Sequence, residues 1–333
     1  MQINDDGTIL GLLLWVNNLI PFFLFILGCV VLYYSSDIII DNSISLSKKL
    51  RISPIIIGAT VVAFGTSLPE LLVSLYAIIF LQNQEAIGIV VGNVLGSNIA
   101  NVTLVLGFCS IMYKIFFKSN ILKDLLFIFF LGLYVIICIH YNISINYFHG
   151  VCLLVLFLGY FNYLIKNNTD SISDDKESSI NLMKVSIMLI LSILGLSLGT
   201  NLIVENAINI SKMWAINELA IGTTIVALGT SLPELFISIS SLRKKNYNLL
   251  VGNIIGSNII NIIFVLGVSS LFMNIRFDNS SILLNESQLL SIAFISSHLI
   301  FIISYLLNKS ISRFSGSLLL FIYIFFMYRL LQF

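Results

Sequence analysis

Apolar residues run in stretches of roughly 20 along the whole chain, separated by short polar breaks, and a helix of that length crosses the hydrocarbon layer of a bilayer. Setting runs against breaks predicts ten spans, at 18–44, 52–80, 86–112, 122–141, 146–165, 182–208, 216–242, 247–273, 283–307 and 314–332. Asn17, Asn18 and Pro21 interrupt the start of the first run. The most polar break, "KNNTDSISDDKESSINLMK" from Lys166 to Lys184, is too short to fold by itself and reads as a linker. The expected organisation is therefore a first half at 1–165, a linker at 166–184 and a second half at 185–333.

Composition agrees with spans rather than with a buried soluble core. Of 333 residues, 58% are hydrophobic and 10% charged, against about 25% charged in a soluble domain. The lipid bilayer is the expected surrounding, and a net charge of +1 offers no field for nucleic acid. The four cysteines, Cys29, Cys109, Cys138 and Cys152, form no CxxC pair and read as lipid-facing or core residues. Acids rather than bases open the chain (Met-Gln-Ile-Asn-Asp-Asp), so no cleavable signal is expected. With the N-terminus outside, the loops at 45–51, 113–124, 166–184, 243–248 and 308–313 are cytoplasmic and hold 14 of the 17 Lys and Arg residues. Lys212, Arg276 and Arg329 are left outside. That bias follows the positive-inside rule and supports ten spans with both termini outside.

The chain also repeats itself. "GATVVAFGTSLPELLVSL" (Gly58 to Leu75) matches "GTTIVALGTSLPELFISI" (Gly222 to Ile239) at 12 of 18 positions, 164 residues later. "GNVLGSNIANVTLVLG" (Gly92 to Gly107) matches "GNIIGSNIINIIFVLG" (Gly252 to Gly267) at 10 of 16, 160 residues later. The first offset aligns Asp37 with Asn201 and Asp41 with Glu205, which extends the duplication into spans 1 and 6. Five spans per half is an odd number, so the second half enters the membrane upside down. The fold expected is an all-α polytopic membrane protein of ten transmembrane helices, arranged as two inverted five-helix repeats. Such repeats mark transporters, with the site near the midplane where the halves meet.

Each copy of the motif places a proline and a glutamate inside an apolar run. Pro69 leaves the Gly65 carbonyl without its helix partner, and Pro233 does the same to Gly229. Freed carbonyls are tolerated at membrane depth only against protein or a polar cavity, where their negative ends suit a cation. Thr66 and Glu70, four apart, share a helix face with Ala63; Thr230, Glu234 and Ala227 repeat the arrangement. Ser97 with Asn101, and Ser257 with Asn261, are likewise four apart in spans 3 and 8. The four motif segments contain no Cys or His, and spans 2, 3, 7 and 8 contain no Lys or Arg. An all-oxygen set with two carboxylates suits a hard cation such as Ca²⁺ or Na⁺ rather than zinc or copper. An empty site would hold two crowded anions, so protons should compete for it.

These paired "GTSLPE" and "GSNIxN" segments resemble the alpha repeats of the sodium/calcium exchanger family, within the calcium/cation antiporter superfamily. The resemblance covers essentially all ten spans. It implies an antiporter without a resident cofactor, in which several Na⁺ ions move against one Ca²⁺ through the same central sites in turn. Glu70 and Glu234 would be the ligands shared by both ions. Thr66, Thr230, Ser67 and Ser231 would belong to the same site, with Ala63 and Ala227 giving carbonyls to Na⁺, and Ser97 and Ser257 resemble outlying Na⁺ ligands. Spans 1 and 6 would slide across the core to alternate access, in the plasma (inner) membrane of a prokaryote. Position 261 is Asn where several relatives, potassium-dependent ones among them, carry Asp, and Asn101 is its counterpart. Neither half adds a third acid, which argues against K⁺ co-transport, and the mid-chain linker has no room for a calcium-sensing domain.

Other readings stand beside this one. The same fold could couple Ca²⁺ to H⁺, and a passive channel is a further alternative. An intramembrane hydrolase using Ser67 or Ser231 lacks a nearby base, so no enzyme is expected. Gly88, Gly92 and Gly96, with Gly252 and Gly256, read as strips for close helix packing. Asn93, Asn98, Asn253 and Asn258 either bond across helices or touch an ion. Asp37, Asp41 and Glu205 read as solvated interfacial acids, and Arg243-Lys244-Lys245 as a topology signal. His140, His149 and His298 are expected near span ends without partners.

Overall fold

The structure is a computed structural model that describes residues 9–81, 84–117, 120–167, 181–213, 227–276 and 281–330. It is almost entirely helical. Among the described residues nine helical stretches are long and apolar enough to cross a membrane: Leu19–Leu50, Pro54–Phe80, Ala86–Met112, Leu122–His140, Tyr147–Lys166, Leu182–Ile210, Tyr247–Phe272, Ser287–Asn308 and Arg313–Leu330. They coincide with nine of the ten expected spans and keep those numbers here, spans 1–6 and 8–10. Of span 7 the structure describes Ala227 onward, as helices Ala227–Thr230 and Leu232–Arg243. Positions 216–226, and 168–180 of the linker, lie outside the described residues.

Span 1 is longer than its apolar run suggests. The helix runs unbroken from Ile9 to Leu50 through Pro21, because a run of favourable helix bonds on either side outweighs the one bond that proline removes. Its 42 residues extend over about 63 Å at 1.5 Å per residue, twice the hydrocarbon thickness. Span 6 extends as a helix from Leu182 to Met213. These two long helices pack against each other along their length. At their crossing the backbones almost touch: a Cβ on Gly28 would lie 2.9 Å from the Gly199 carbonyl oxygen, and one on Gly199 would lie 3.0 Å from that of Gly28.

Two separate apolar clusters result. The larger joins spans 2–5 and 8–10 around Val94, Leu106, Ile128, Ile262 and Phe294. The smaller centres on spans 1 and 6, with Leu32, Ile39, Ile40, Val185, Leu189, Leu196 and Ile203 meeting a few residues of spans 2, 7 and 8. The long pair is thus a unit resting on the rest rather than woven into it. Span 8 is buried along almost its whole length and lies against span 2, where Cβ atoms on Gly252 and Gly256 would fall 2.2 Å from the Ile55 and 2.4 Å from the Ala59 carbonyl oxygens. The packing role expected of those two glycines holds. Among the described residues a Cβ on Gly92 or Gly96 meets nothing within 4 Å; their aligned partner segment in span 7 is outside those residues.

A short antiparallel pair, β1 (Ile115–Phe116) and β2 (Ser310–Ile311), ties the 3–4 and 9–10 loops, and an Ile145–Ile275 bridge ties the 4–5 and 8–9 loops. Span 1 is pinned to the end of span 7. Asp37 accepts from the Ser240 hydroxyl and, at 3.5 Å, from Arg243 Nη1; Lys244 Nζ reaches the Asp37 carbonyl at 2.7 Å and Asp41 Oδ1 at 2.8 Å. The Arg243 guanidinium lies over the Tyr33 ring at 4.6 Å. Asp37 is therefore a paired, half-buried acid, Asp41 is paired while staying exposed as expected, and Arg243 and Lys244 do more than signal topology. Glu205 is exposed, as expected of an interfacial acid.

One histidine expectation fails. His298 sits ten residues from the end of the helix Ser281–Asn308, is buried, stacks on Phe294 at 3.9 Å and has its Nδ1 2.9 Å from the Phe294 carbonyl oxygen. Local stacking and that bond let the helix interior accept a ring that polarity alone assigns to a span end. His149 has a partner too, its Nδ1 lying 2.8 Å from Asn146 Oδ1. Cys109 and Cys138 are buried, Cys29 is half-buried and Cys152 exposed, all as free thiols.

Candidate functional site

The proline motif interrupts each helix at the serine two residues before the proline. In span 2, helix Ala63–Thr66 ends at Ser67 (φ −88°, ψ 6°), and a new helix starts at Leu68 with proline in its first turn. In span 7, helix Ala227–Thr230 ends at Ser231 (φ −91°, ψ 1°) and restarts at Leu232 in the same way. Proline is well placed there, since the first turn of a helix has no use for its missing N–H. "SLPE" has the spacing of a capping box, serine bonding forward and glutamate back. Here neither serine caps its helix, and both hydroxyls are buried without a partner. Glu70 and Glu234 stand in the first turn of the restarted helices, where free N–H groups and the helix dipole favour a carboxylate.

Spans 3 and 8 carry matching irregularities. Each widens into π-helical turns, at Asn101–Leu106 and at Ile260–Val265, before returning to α-helix. Such turns release backbone groups from the regular ladder and cluster at functional sites. They begin at or beside Asn101 and Asn261, two of the candidate residues. No hydropathy pattern shows a π turn, so the sequence offered no sign of it.

Both glutamates lie in the interior. Glu70 is 1% exposed and Glu234 fully buried. Ser97 faces the Glu70 carboxylate, and the hydroxyls of Thr66 and Ser257 face that of Glu234. The approach is loose, for Glu70 Oε2 and both carboxylate oxygens of Glu234 make no hydrogen bond. Thr66 Oγ1 sits 3.2 Å from Ser257 Oγ and 3.4 Å from Asn253 Oδ1, and donates to the Ala63 carbonyl at 3.2 Å. Thus Thr66 of the first half reaches Ser257 of the second.

The remaining candidates stand on the same four spans. Asn101 Nδ2 donates to Asn258 Oδ1 at 3.0 Å, while Asn101 Oδ1 and both amide atoms of Asn261 are unpartnered. The Ala63 carbonyl accepts from Thr66 and, at 3.0 Å, from the Ser67 N–H. Thr230 is half-buried, and Ala227 opens the short helix before Ser231. No Lys, Arg or His pairs with either glutamate among the described residues, and no three His, Cys, Asp or Glu side chains cluster there. Among the described residues, then, the two carboxyl groups have no protein cation beside them.

Of the asparagines left open by the sequence, Asn258 thus pairs with Asn101, and two more acquire partners. Asn93 Nδ2 donates to the Glu70 carbonyl at 2.7 Å and to Ser74 Oγ at 2.9 Å; Asn253 accepts from Thr66. Each stands one helical turn before a candidate serine, Ser97 or Ser257, and that spacing was the available clue.

Comparison with known proteins agrees with this architecture. The family described as "Sodium/calcium exchanger protein" matches residues 20–166 and 184–332. The sodium/calcium exchanger MaX1 of Methanosarcina acetivorans is 30% identical over 350 residues, covering 92% of this chain and 97% of its own. An uncharacterised membrane protein of Methanocaldococcus jannaschii is 37% identical over 257 residues, covering 77% and 83%. The sodium-calcium exchanger NCX_Mj, solved after soaking with 10 mM Na⁺ and zero Ca²⁺, superimposes with a TM-score of 0.77 at 32% identity over 92% of this chain and 98% of that one. Membrane-spanning helices in this arrangement, a matched family pattern in both halves and a shared fold make this chain a member of the sodium/calcium exchanger family, whose proteins are transporters and not enzymes.

Proposed function

We propose that the chain exchanges Na⁺ for Ca²⁺ by alternating access at one central site, built from Glu70 and Glu234 with Thr66, Thr230, Ser67, Ser231, Ser97, Ser257, Asn101, Asn261 and the carbonyls of Ala63 and Ala227. The observation that carries this is the pair of buried carboxylates, one from each copy of the motif, with three of their four oxygens open and no Lys, Arg or His paired with them among the described residues. Two uncompensated charges in a buried site cost several kcal/mol each, and a divalent cation neutralises both at once. Several Na⁺ ions distributed over the same oxygens neutralise them equally well, which makes the two loads mutually exclusive.

The halves at 1–165 and 185–333, joined by the linker at 166–184, act as inverted repeats with both termini outside, in the plasma membrane. The near-symmetric breaks at Ser67 and Ser231 support that arrangement. Spans 1 and 6, held in their own apolar cluster, are the moving pair. The test is Na⁺-driven uptake of radiolabelled Ca²⁺ into proteoliposomes, with wild type beside Glu70→Gln and Glu234→Gln. Uptake that ignores the Na⁺ gradient but follows a pH gradient would instead establish Ca²⁺/H⁺ exchange, the second reading, which the crowding of the two carboxylates favours.

A further inference from the structure

Asn93, Glu70 and Ser74 in the first half align with Asn253, Glu234 and Ser238 in the second: the same residue types, with the serine one helical turn after the glutamate in each. Their hydrogen bonding differs. In the first half the Asn93 amide bridges the Glu70 carbonyl and the Ser74 hydroxyl, and so fixes the backbone that carries the Glu70 side chain. In the second half the Asn253 amide nitrogen and the Ser238 hydroxyl are both buried without a partner. The Asn253 carbonyl oxygen instead accepts from Thr66, across the contact between the halves. Buried polar groups are seldom left open. A matching donor and acceptor, open together in the very triad that is closed in the other copy, mark a bond that a different arrangement of this chain makes.

We propose that Asn93 and Asn253 are paired positioning residues: the brace on Glu70 is closed in this conformation, and the brace on Glu234 closes in the conformation that faces the other side of the membrane. This rests on the alternating-access reading above. Neither brace has to touch the ion, since each acts through the main chain of its glutamate helix. Removing the Asn93 donor weakens only this conformation, and removing the Asn253 donor weakens only the other. The two substitutions therefore shift the balance between conformations in opposite directions.

The experiment uses Ca²⁺ alone, as Ca²⁺/Ca²⁺ exchange of the full chain in proteoliposomes of defined orientation, with half-saturation measured at each face. The ratio of the two half-saturation values should move by about threefold to tenfold one way in Asn93→Ala and the other way in Asn253→Ala, the double variant returning close to wild type. Ser74→Ala should follow Asn93→Ala, and Ser238→Ala should follow Asn253→Ala. These serine variants each delete a single hydroxyl and decide the sign where an asparagine variant does not purify. A merely structural role predicts lowered thermal stability with an unchanged ratio. That result, or a ratio moving the same way in both halves, overturns the proposal. Failure of Na⁺ coupling leaves this readout intact, whereas absence of any Ca²⁺ movement in wild type overturns both readings.

Discussion

The two halves of the molecule match at their centre and differ at their ends. Ser67 and Ser231 break their helices at nearly the same dihedral angles, each followed by a buried glutamate, and Asn101 and Asn261 each adjoin a π turn. At the ends, Asp37 and Asp41 of span 1 are held by Arg243, Lys244 and Ser240. The aligned residues of span 6 are Asn201 and Glu205, both exposed, and those aligned with Arg243 and Lys244 are Ile79 and Phe80, both exposed. The inverted topology proposed above would account for the difference. Aligned ends of inverted repeats face opposite sides of the membrane, and the positive-inside rule stocks only one side with Lys and Arg. An ionic clasp can therefore form on one side alone, whereas a site at the midplane is free to stay symmetric.

That contrast can be attacked at its strongest point first. Glu70→Gln and Glu234→Gln should each lower Ca²⁺ flux by about two orders of magnitude or more, the scale of unpairing a buried charge. Comparable losses mean equal halves at the centre, and one tolerated variant would break the symmetry there. Next, Gly256→Leu should lower the thermal stability of the purified protein by upwards of about 3 kcal/mol, because the Ala59 backbone occupies the space that the side chain needs. Lys244→Ala should change the ratio of half-saturation at the two faces by about fivefold, the weight of about 1 kcal/mol for a partly exposed ion pair. The exchanged pair Asp41→Lys with Lys244→Asp should recover much of it. Glu205→Ala, at the aligned end without a clasp, should leave stability and flux within about 0.5 kcal/mol of wild type. An effect of Glu205→Ala as large as that of Lys244→Ala would show the ends to be alike after all.

Much of this molecule was legible before any coordinates. Hydropathy located nine of the described spans to within a few residues, because lipid demands an apolar run of fixed length. The duplicated motifs singled out Glu70 and Glu234, since a carboxylate among apolar residues stands out without any context. What sequence missed depends on neighbours distant along the chain. Pro21 interrupted the first apolar run yet lies inside a continuous helix, whereas Pro69 stands in the first turn of a new helical segment; the residue is the same and the flanking bonds differ. His298 looked like a residue for a span end, and its interior position rests on Phe294.

The amino-acid order by itself marked out the apolar runs, the duplication and the identity of the two acids, for each follows from short-range patterns of polarity. Only the tertiary structure decided that Thr66 would meet Ser257, that Asn93 would hold its glutamate helix while Asn253 would not, and that Asp37 would find Arg243. Those are contacts between groups about two hundred residues apart, or choices between partners of equal chemistry. Polarity along a chain carries no information about which of two such partners lies within 3 Å.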